Sequence, residues 1–449
     1  MQDKLGTAKV NRLLWELSLP AILGMLSSAI FNVVDRIFVG RVDPLALTAV
    51  GITMPIQILQ MALVLLIGVG SSTLVSIKLG EGKQQEAEGV LTLALKYIVI
   101  AMAVFAIGFT LLCEPILKLL SVSKEVLPMA RSYILIIIIG GVVGIPGYCL
   151  NNSMRAVGKA GVSMRIILIT SVLNMILDPI FIFGFGWGIA GAAIATVLSQ
   201  FVLTVYILWY FKRGKGMPVR LKLGRVAGEY KLFIQILRNG SPSFFVQVLA
   251  TFVNVFINWS LLRYGSDLDL AGVTIISTVF SFYHMVVFGI VQGNQPICGY
   301  NWGAKQYGRV SLSLRLSLLY AFGLSLILFL VIQLYPGILV GMFTSDAELA
   351  VLTERAMKVY LSMIPLIGLQ TVSAQYYQSV GRARLSTILS FLRYGVILVP
   401  AVLLAAPRFG VNGIYASYAV SDLIASLVAV GCILVELRRL RALERAADL

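Results

Sequence analysis

Charge is what this chain has least of. Asp, Glu, Lys and Arg make up 12% of its 449 residues, against 59% hydrophobic residues. A soluble domain carries roughly twice that charged share, so the composition describes an all-α polytopic membrane protein. Histidine is nearly absent, with only His284. The four cysteines, Cys113, Cys149, Cys298 and Cys432, are far apart and form no CxxC or His-paired spacing. That excludes a disulfide framework and a zinc site. There is no DDxxD for a diphosphate-bound metal and no His-based acid/base set, which argues against a membrane transferase. No GxxxxGK[ST] is present, which argues against ATP drive. The chain therefore reads as no enzyme and as needing no cofactor. The net charge of +16 comes without a basic stripe interleaved with stacking aromatics, so nucleic acid is not the partner. No cleavable signal is expected, because the first apolar run is too long and contains an acid.

What is abundant is long apolar sequence. Segments able to span a bilayer recur about twelve times. Lys and Arg concentrate in alternate loops: Lys4, Lys9 and Arg12; Lys78 and Lys83; Arg155 and Lys159; Lys305 and Arg309; Arg382, Arg384 and Arg393; Arg438 to Arg445. The positive-inside rule then places both termini in the cytoplasm, in a multi-pass protein of the cell membrane. The expected organisation is a cytoplasmic N-terminus over 1–13, six spans over 14–211, a basic cytoplasmic linker over 212–237, six spans over 238–437 and a cytoplasmic C-terminus over 438–449.

The two halves repeat. Ser18-Leu19-Pro20 answers Gly240-Ser241-Pro242, and Leu79-Gly80-Glu81 answers Trp302-Gly303-Ala304. Ala156-Val157-Gly158-Lys159-Ala160 answers Ser379-Val380-Gly381-Arg382-Ala383, and Gly188-Ile189-Ala190-Gly191 answers Gly410-Val411-Asn412-Gly413. All four matches fall at an offset of 222 or 223 residues. Six spans per half is an even number, so both halves share one orientation. A pseudo-two-fold axis along the membrane normal follows, with a substrate site expected between the halves.

Within the apolar spans, acids are rare. Asp35 lies in Asn32-Val33-Val34-Asp35-Arg36-Ile37-Phe38-Val39-Gly40. A lone intramembrane carboxylate costs about 2.5–3.5 kcal/mol on insertion scales. Asp178 is the second such acid, with Asn174 one helical turn before it on the same face. Pro179 cannot donate to the Met175 carbonyl, which leaves a backbone oxygen nearby. At 1.5 Å per residue, Asp35, Asp178 and Thr196 lie roughly 6, 9 and 12 Å below the outer membrane surface. Asp35, Asn174, Asp178 and Thr196 offer only oxygen and amide ligands, which suits H⁺ or Na⁺ and not a soft transition metal. The competing reading pairs Asp35 with Arg36 or Arg41 and leaves Asn174 and Asp178 as inter-helix bonds. At the repeat offset the second half has Ile257 or Asn258 and Pro400 or Ala401 instead, so coupling belongs to the first half. His284 reads as packing, and Asp422 as paired with a donor on another helix. Asn32, Gln57, Asn151 and Gln200 are candidates for lining a substrate cavity.

The duplicated six-span halves, the Asn32–Gly40 stretch and the run Asn174-Met175-Ile176-Leu177-Asp178-Pro179-Ile180-Phe181-Ile182-Phe183 resemble the multidrug and toxic compound extrusion (MATE) transporters, closest to the bacterial drug exporters. The likeness spans about residues 12–437. It implies two six-helix lobes that open alternately to each side. It also implies export of mostly cationic amphipathic molecules against inward H⁺ or Na⁺, by a protein acting as a monomer. The family's first-lobe cation site falls on Asp35, Asn174, Asp178 and Thr196, and its bending proline on Pro20. The alternative within the superfamily is a lipid-linked precursor flippase or polysaccharide exporter.

Overall fold

The computed structural model describes residues 2–447 apart from Ser121, Leu223 and Arg225. Leu223 and Arg225 of the linker, and Asp448 and Leu449 at the C-terminus, lie outside the described residues. The described residues are helical almost throughout. In order they form α1 (Gln2–Thr7), α2 (Val10–Val42), α3 (Pro44–Gly80), α4 (Gln84–Leu119), α5 (Leu127–Ala156), α6 (Ala160–Pro179) and α7 (Gly188–Arg213). There follow α8 (Glu229–Tyr264), α9 (Asp267–Gly303), α10 (Tyr307–Leu334), α11 (Pro336–Val340), α12 (Ala347–Tyr360), α13 (Ile364–Ser379), α14 (Ala383–Phe391) and α15 (Val399–Ala447). Two π-helical turns, Ile180–Gly184 and Leu392–Leu398, follow α6 and α14. Among the described residues, ten helices are long and apolar enough to cross a membrane.

Local chemistry sets the boundaries. Asp43 caps α3 by accepting from the Leu45 amide at 2.8 Å, with Pro44 in the first turn where its missing N–H costs nothing. Ser266 and Asp269 form a reciprocal capping box at the start of α9. In the second half, one apolar stretch is broken into α12 and α13 by a turn just before Pro365, which favours a new helix start over continuation. The stretch from α14 to the end of α15 is divided at one point within α15. Gly410 stands there at φ 59°, ψ −141°, a conformation that only glycine adopts readily.

The chain divides into two compact units, and the division does not follow the linker. Unit 1 is Met1–Thr7 with Leu23–Phe244, and unit 2 is Ala8–Ile22 with Phe245–Leu449. Each of α2 and α8 is thus shared, and each boundary falls two residues after a proline, Pro20 and Pro242.

Unit 1 packs α5 against α7 through Gly140, Gly144 and Gly147, which share one helix face and meet Val197, Gln200 and Thr204. The absence of side chains lets the backbones touch. The Thr204 hydroxyl donates to the Gly144 carbonyl at 2.6 Å and accepts from the Gly147 amide at 2.9 Å. Thr204→Val keeps the shape and loses both bonds. We expect it to cost about 1–2 kcal/mol, read as a lower unfolding midpoint in detergent. Thr110→Val is the control, since that hydroxyl bonds only to Ala106 of its own helix. The linker is tied to α4. Lys222 pairs with Glu88 at 2.6 Å, and Thr92 donates to the Lys222 carbonyl at 2.8 Å. Glu229, at the start of α8, accepts from Lys96 at 2.5 Å and Tyr97 at 2.8 Å. The first part of α8 lies on α3, where a methyl built on Gly240 would stand 2.5 Å from the Leu66 carbonyl carbon, and one on Gly70 would stand 2.9 Å from the Gly240 amide nitrogen.

Unit 2 has its own apolar core, drawn from α8 through α15. The first part of α2 belongs to it. The Ser18 hydroxyl donates to the Ile290 carbonyl, Arg309 donates to the Ala8 carbonyl at 2.7 Å, and Tyr320 donates to Asn11 at 2.6 Å. A methyl built on Gly293 would stand 2.7 Å from the Ser18 amide nitrogen, and one on Gly289 would stand 2.9 Å from that of Ile22. The Gly293–Ser18 contact repeats the Gly70–Gly240 contact of unit 1 at the same sequence offset: Gly293 answers Gly70 and Ser18 answers Gly240.

One sequence reading is corrected in unit 2. Arg393, assigned to a cytoplasmic loop by its neighbours Arg382 and Arg384, is buried in the π-helical turn and pairs with Asp422 at 2.6 Å. It is the inter-helix donor that Asp422 called for. His284 packs between Phe280 and Phe288.

Candidate ion-coupling site

Two helices of unit 1 bring the acids together. Asp35 comes from α2, seven residues before its end, and Asp178 from the penultimate residue of α6. Asp178 is fully buried and Asp35 half-buried. The Asn174 amide donates to Asp178 Oδ1 at 3.0 Å, the one-turn relation its spacing predicts. The Asp35 and Asp178 carboxyls lie within hydrogen-bonding reach of one another. Asp35 Oδ1 and Asp178 Oδ2 are buried with no donor among the described residues. Two neighbouring carboxylates repel when both are charged, which favours a proton or a cation between them.

The backbone around Asp178 is shaped by Pro179. Its missing amide ends the α-helical ladder, and the chain widens into the π turn, where the Phe185 amide donates to the Ile180 carbonyl at 2.9 Å. This turn is held by α7: a methyl built on Gly191 would stand 2.7 Å from the Phe181 carbonyl carbon and oxygen. The Gly188–Gly191 motif therefore matters because it lets α7 seat against the backbone that carries Asp178.

Neither Arg36 nor Arg41 forms an ion pair with Asp35 among the described residues. Arg36 instead directs a guanidinium nitrogen to the Met54 sulfur at 3.6 Å. Thr196, on α7, is half-buried and hydrogen-bonds neither acid among the described residues. Tyr133 of α5 was not singled out from the sequence. Its ring is buried, within electrostatic range of both acids and of Gln57. No sequence pattern marks it, since one tyrosine in an apolar span looks like packing. Of the cavity candidates, Asn32 is exposed, and Gln57 is half-buried with its amide toward Thr53 at 3.4 Å. Asn151 is buried with its Oδ1 lacking a donor, and Gln200 packs on Gly144. No hydrogen bond joins these four to one another among the described residues.

A family model described as MatE matches residues 20–180 and again residues 242–403. The chain belongs to the MatE family. The double match is the duplication visible in the repeats. This MatE chain is 27% identical over 425 residues to the multidrug export protein MepA of Staphylococcus aureus (strain MSSA476), covering 94% of this chain and 93% of the relative. It is also 27% identical over 420 residues to MepA of Staphylococcus saprophyticus, covering 92% and 91%. Among solved structures, a MATE crystal structure in a bent conformation matches with a TM-score of 0.92 at 22% identity, covering 100% of this chain and 99% of that one. A variant of the Vibrio cholerae MATE transporter VcmN matches with a TM-score of 0.89 at 24% identity, covering 96% and 97%. The MATE fold is shared along nearly the whole chain, and membership makes this protein a membrane transporter and not an enzyme.

Proposed function

We propose that this MatE chain is a secondary antiporter of the cell membrane. It exports amphipathic, mostly cationic small molecules by alternating access in exchange for inward H⁺ or Na⁺. The observation that carries this reading is the Asp35–Asp178 pair: two membrane-embedded carboxyls from different helices, in mutual reach, each with a buried oxygen that has no donor. Such a pair is a binding site for a small hard cation, and Asn174 orients Asp178 within it. Thr196 completes the ligand set, Pro20 is the hinge of α2, and Asn32, Gln57, Asn151 and Gln200 contact the substrate.

The same reading takes α12 with α13 as one broken span and divides α14–α15 at Gly410, making twelve spans, six on each side of the 212–237 linker. Segments 14–211 and 238–437 are the two lobes, with 1–13 and 438–449 in the cytoplasm, and the protein acts as a monomer. Proteoliposomes test the function directly. With ethidium as the transported cation, an imposed pH or Na⁺ gradient should drive uphill movement without nucleotide. Movement that needs ATP, or none under either gradient, would overturn the reading.

A further inference from the structure

Unit 2 contains a buried charge pair that the coupling scheme does not use. Arg393 and Asp422 have side chains only 7% and 3% exposed, and Arg393 Nε donates to Asp422 Oδ1 at 2.6 Å. Arg393 Nη1 also donates to the Tyr394 hydroxyl at 3.0 Å, and the guanidinium lies 4.8 Å from the Tyr394 ring and 5.5 Å from that of Phe280. The π-helical turn that carries Arg393 precedes Pro400, and the Ser421 hydroxyl on α15 fastens it by donating to the Arg393 carbonyl.

The position does not need charge for packing. At the repeat offset, Asp422 answers Gln200 and Arg393 answers Thr170 or Ser171, all neutral. The halves are thus complementary. Unit 1 has two acids with no ion pair among the described residues, and neutral residues at the second position. Unit 2 has neutral residues opposite the acids and a closed ion pair at the second position. A buried ion pair is seldom retained for stability, since neutral residues of similar shape do as well.

We infer that Arg393 is a resident cation for Asp422, holding in unit 2 the place that an exchangeable H⁺ or Na⁺ takes in unit 1, so that unit 2 carries a permanently occupied acid. This rests on the reading of Asp35–Asp178 as the exchanging pair. A guanidinium cannot shed its proton, so Asp422 never empties, and the ion count per transport cycle is set by unit 1 alone. The titratable and charged groups around Asp422 fit this role. They are Arg393 and Tyr394 from the π turn, Tyr283 from α9 with His284 nearer Arg393, Tyr360 from α12 and Tyr418 from α15. From α10, Ser325 bonds Tyr283, and α13 presents the Leu366 carbonyl to Ser426. Arg393 is the one cation in this set.

Removing Arg393 should turn Asp422 into an exchangeable site, because an uncompensated buried carboxylate neutralises itself by taking a proton. Purified full-length protein in lipid nanodiscs, in Na⁺-free buffer, is titrated while infrared spectroscopy counts protonating carboxyls and ethidium binding is followed in parallel. Arg393→Gln should gain one protonating carboxyl over wild type, and ethidium affinity should gain a second pH step. The gain should survive in Arg393→Gln/Asp178→Asn and vanish in Arg393→Gln/Asp422→Asn. An unchanged count in Arg393→Gln would overturn the inference. Folded yield decides it a second way. Arg393→Gln and the double Gln/Asn variant should fold, whereas Asp422→Asn strands a guanidinium that cannot neutralise and should lose most folded protein. Equal collapse of Arg393→Gln and Asp422→Asn would overturn the inference. Should wild-type ethidium affinity prove indifferent to pH, the reading of unit 1 fails, while the carboxyl count of Arg393→Gln still decides the role of Arg393.

Discussion

Asp178→Asn is expected to reach the membrane in wild-type amounts and to export nothing against a gradient, and Asp35→Asn to do the same. Each removes a carboxylate that costs about 2.5–3.5 kcal/mol to insert, so insertion is eased. Asparagine at 178 still offers an oxygen to the Asn174 amide, so local geometry is kept. What is lost is the ability to hold a proton or Na⁺ between two carboxyls. The sign of the coupling follows from linkage. A bound ion lowers the negative charge of the pair and disfavours the state that holds substrate, so substrate affinity should fall as pH falls or Na⁺ rises. The substrate weakens ion binding by the same factor. In Asp178→Asn, ethidium affinity should be flat against both pH and Na⁺. Full gradient-driven export by either variant would show that the acids do not couple the ion. Pro20→Ala belongs to the same experiment: it restores a backbone donor in α2 and should keep ion binding while losing part of the antagonism.

Gly293→Val and Gly70→Val are expected to have the second-largest effects, and nearly equal ones. At both positions the obstruction is backbone: Ser18 N and Cα for Gly293, and Ile236 C with Gly240 N for Gly70. No rotamer change relieves such a contact. Each variant must lift a helix segment off its seat, at the upper end of the roughly 1–3 kcal/mol typical of overpacking. Monodisperse yield and the unfolding midpoint in detergent should both drop sharply, and ethidium export should fall with them. Gly108→Val on α4 is the control, because a methyl there meets nothing within 4 Å. Stability of Gly293→Val equal to that of Gly108→Val would mean that α2 is not seated on α9.

The parts legible in the sequence are those written in one helix or one repeat. Asn174 and Asp178 are four residues apart, and the bond between them follows. Pro179 announces an interrupted ladder, although the sequence could not say that the repair is a π turn. The repeat located Pro20 and Pro242 as equivalents before either helix was seen. The parts that stayed illegible depend on pairings between distant segments. Tyr133 acquires its place only when α5 packs against α3. Arg393 looks like a loop cation because Arg382 and Arg384 precede it, and only the fold brings Asp422 to it. The division of α2 between two units has Pro20 as its one local sign, and the helix itself runs on through it from Val10 to Val42.

That division bears on how the protein is made. The segment Ala8–Ile22 is made before the rest of its unit, and its seat on α9 and α10 is completed only when those helices have been made. At about 5–20 residues per second, the wait is on the order of tens of seconds. Through that interval the segment sits in the lipid or the insertion machinery with the buried face of Leu13, Leu14, Leu17 and Ser18 uncovered. Unit 1, in turn, cannot close until α8 arrives. Each half made separately would lack one helical segment and carry one it has nowhere to put. The two sequence halves therefore exchange a helical segment, and each unit completes its packing with a piece of the other half.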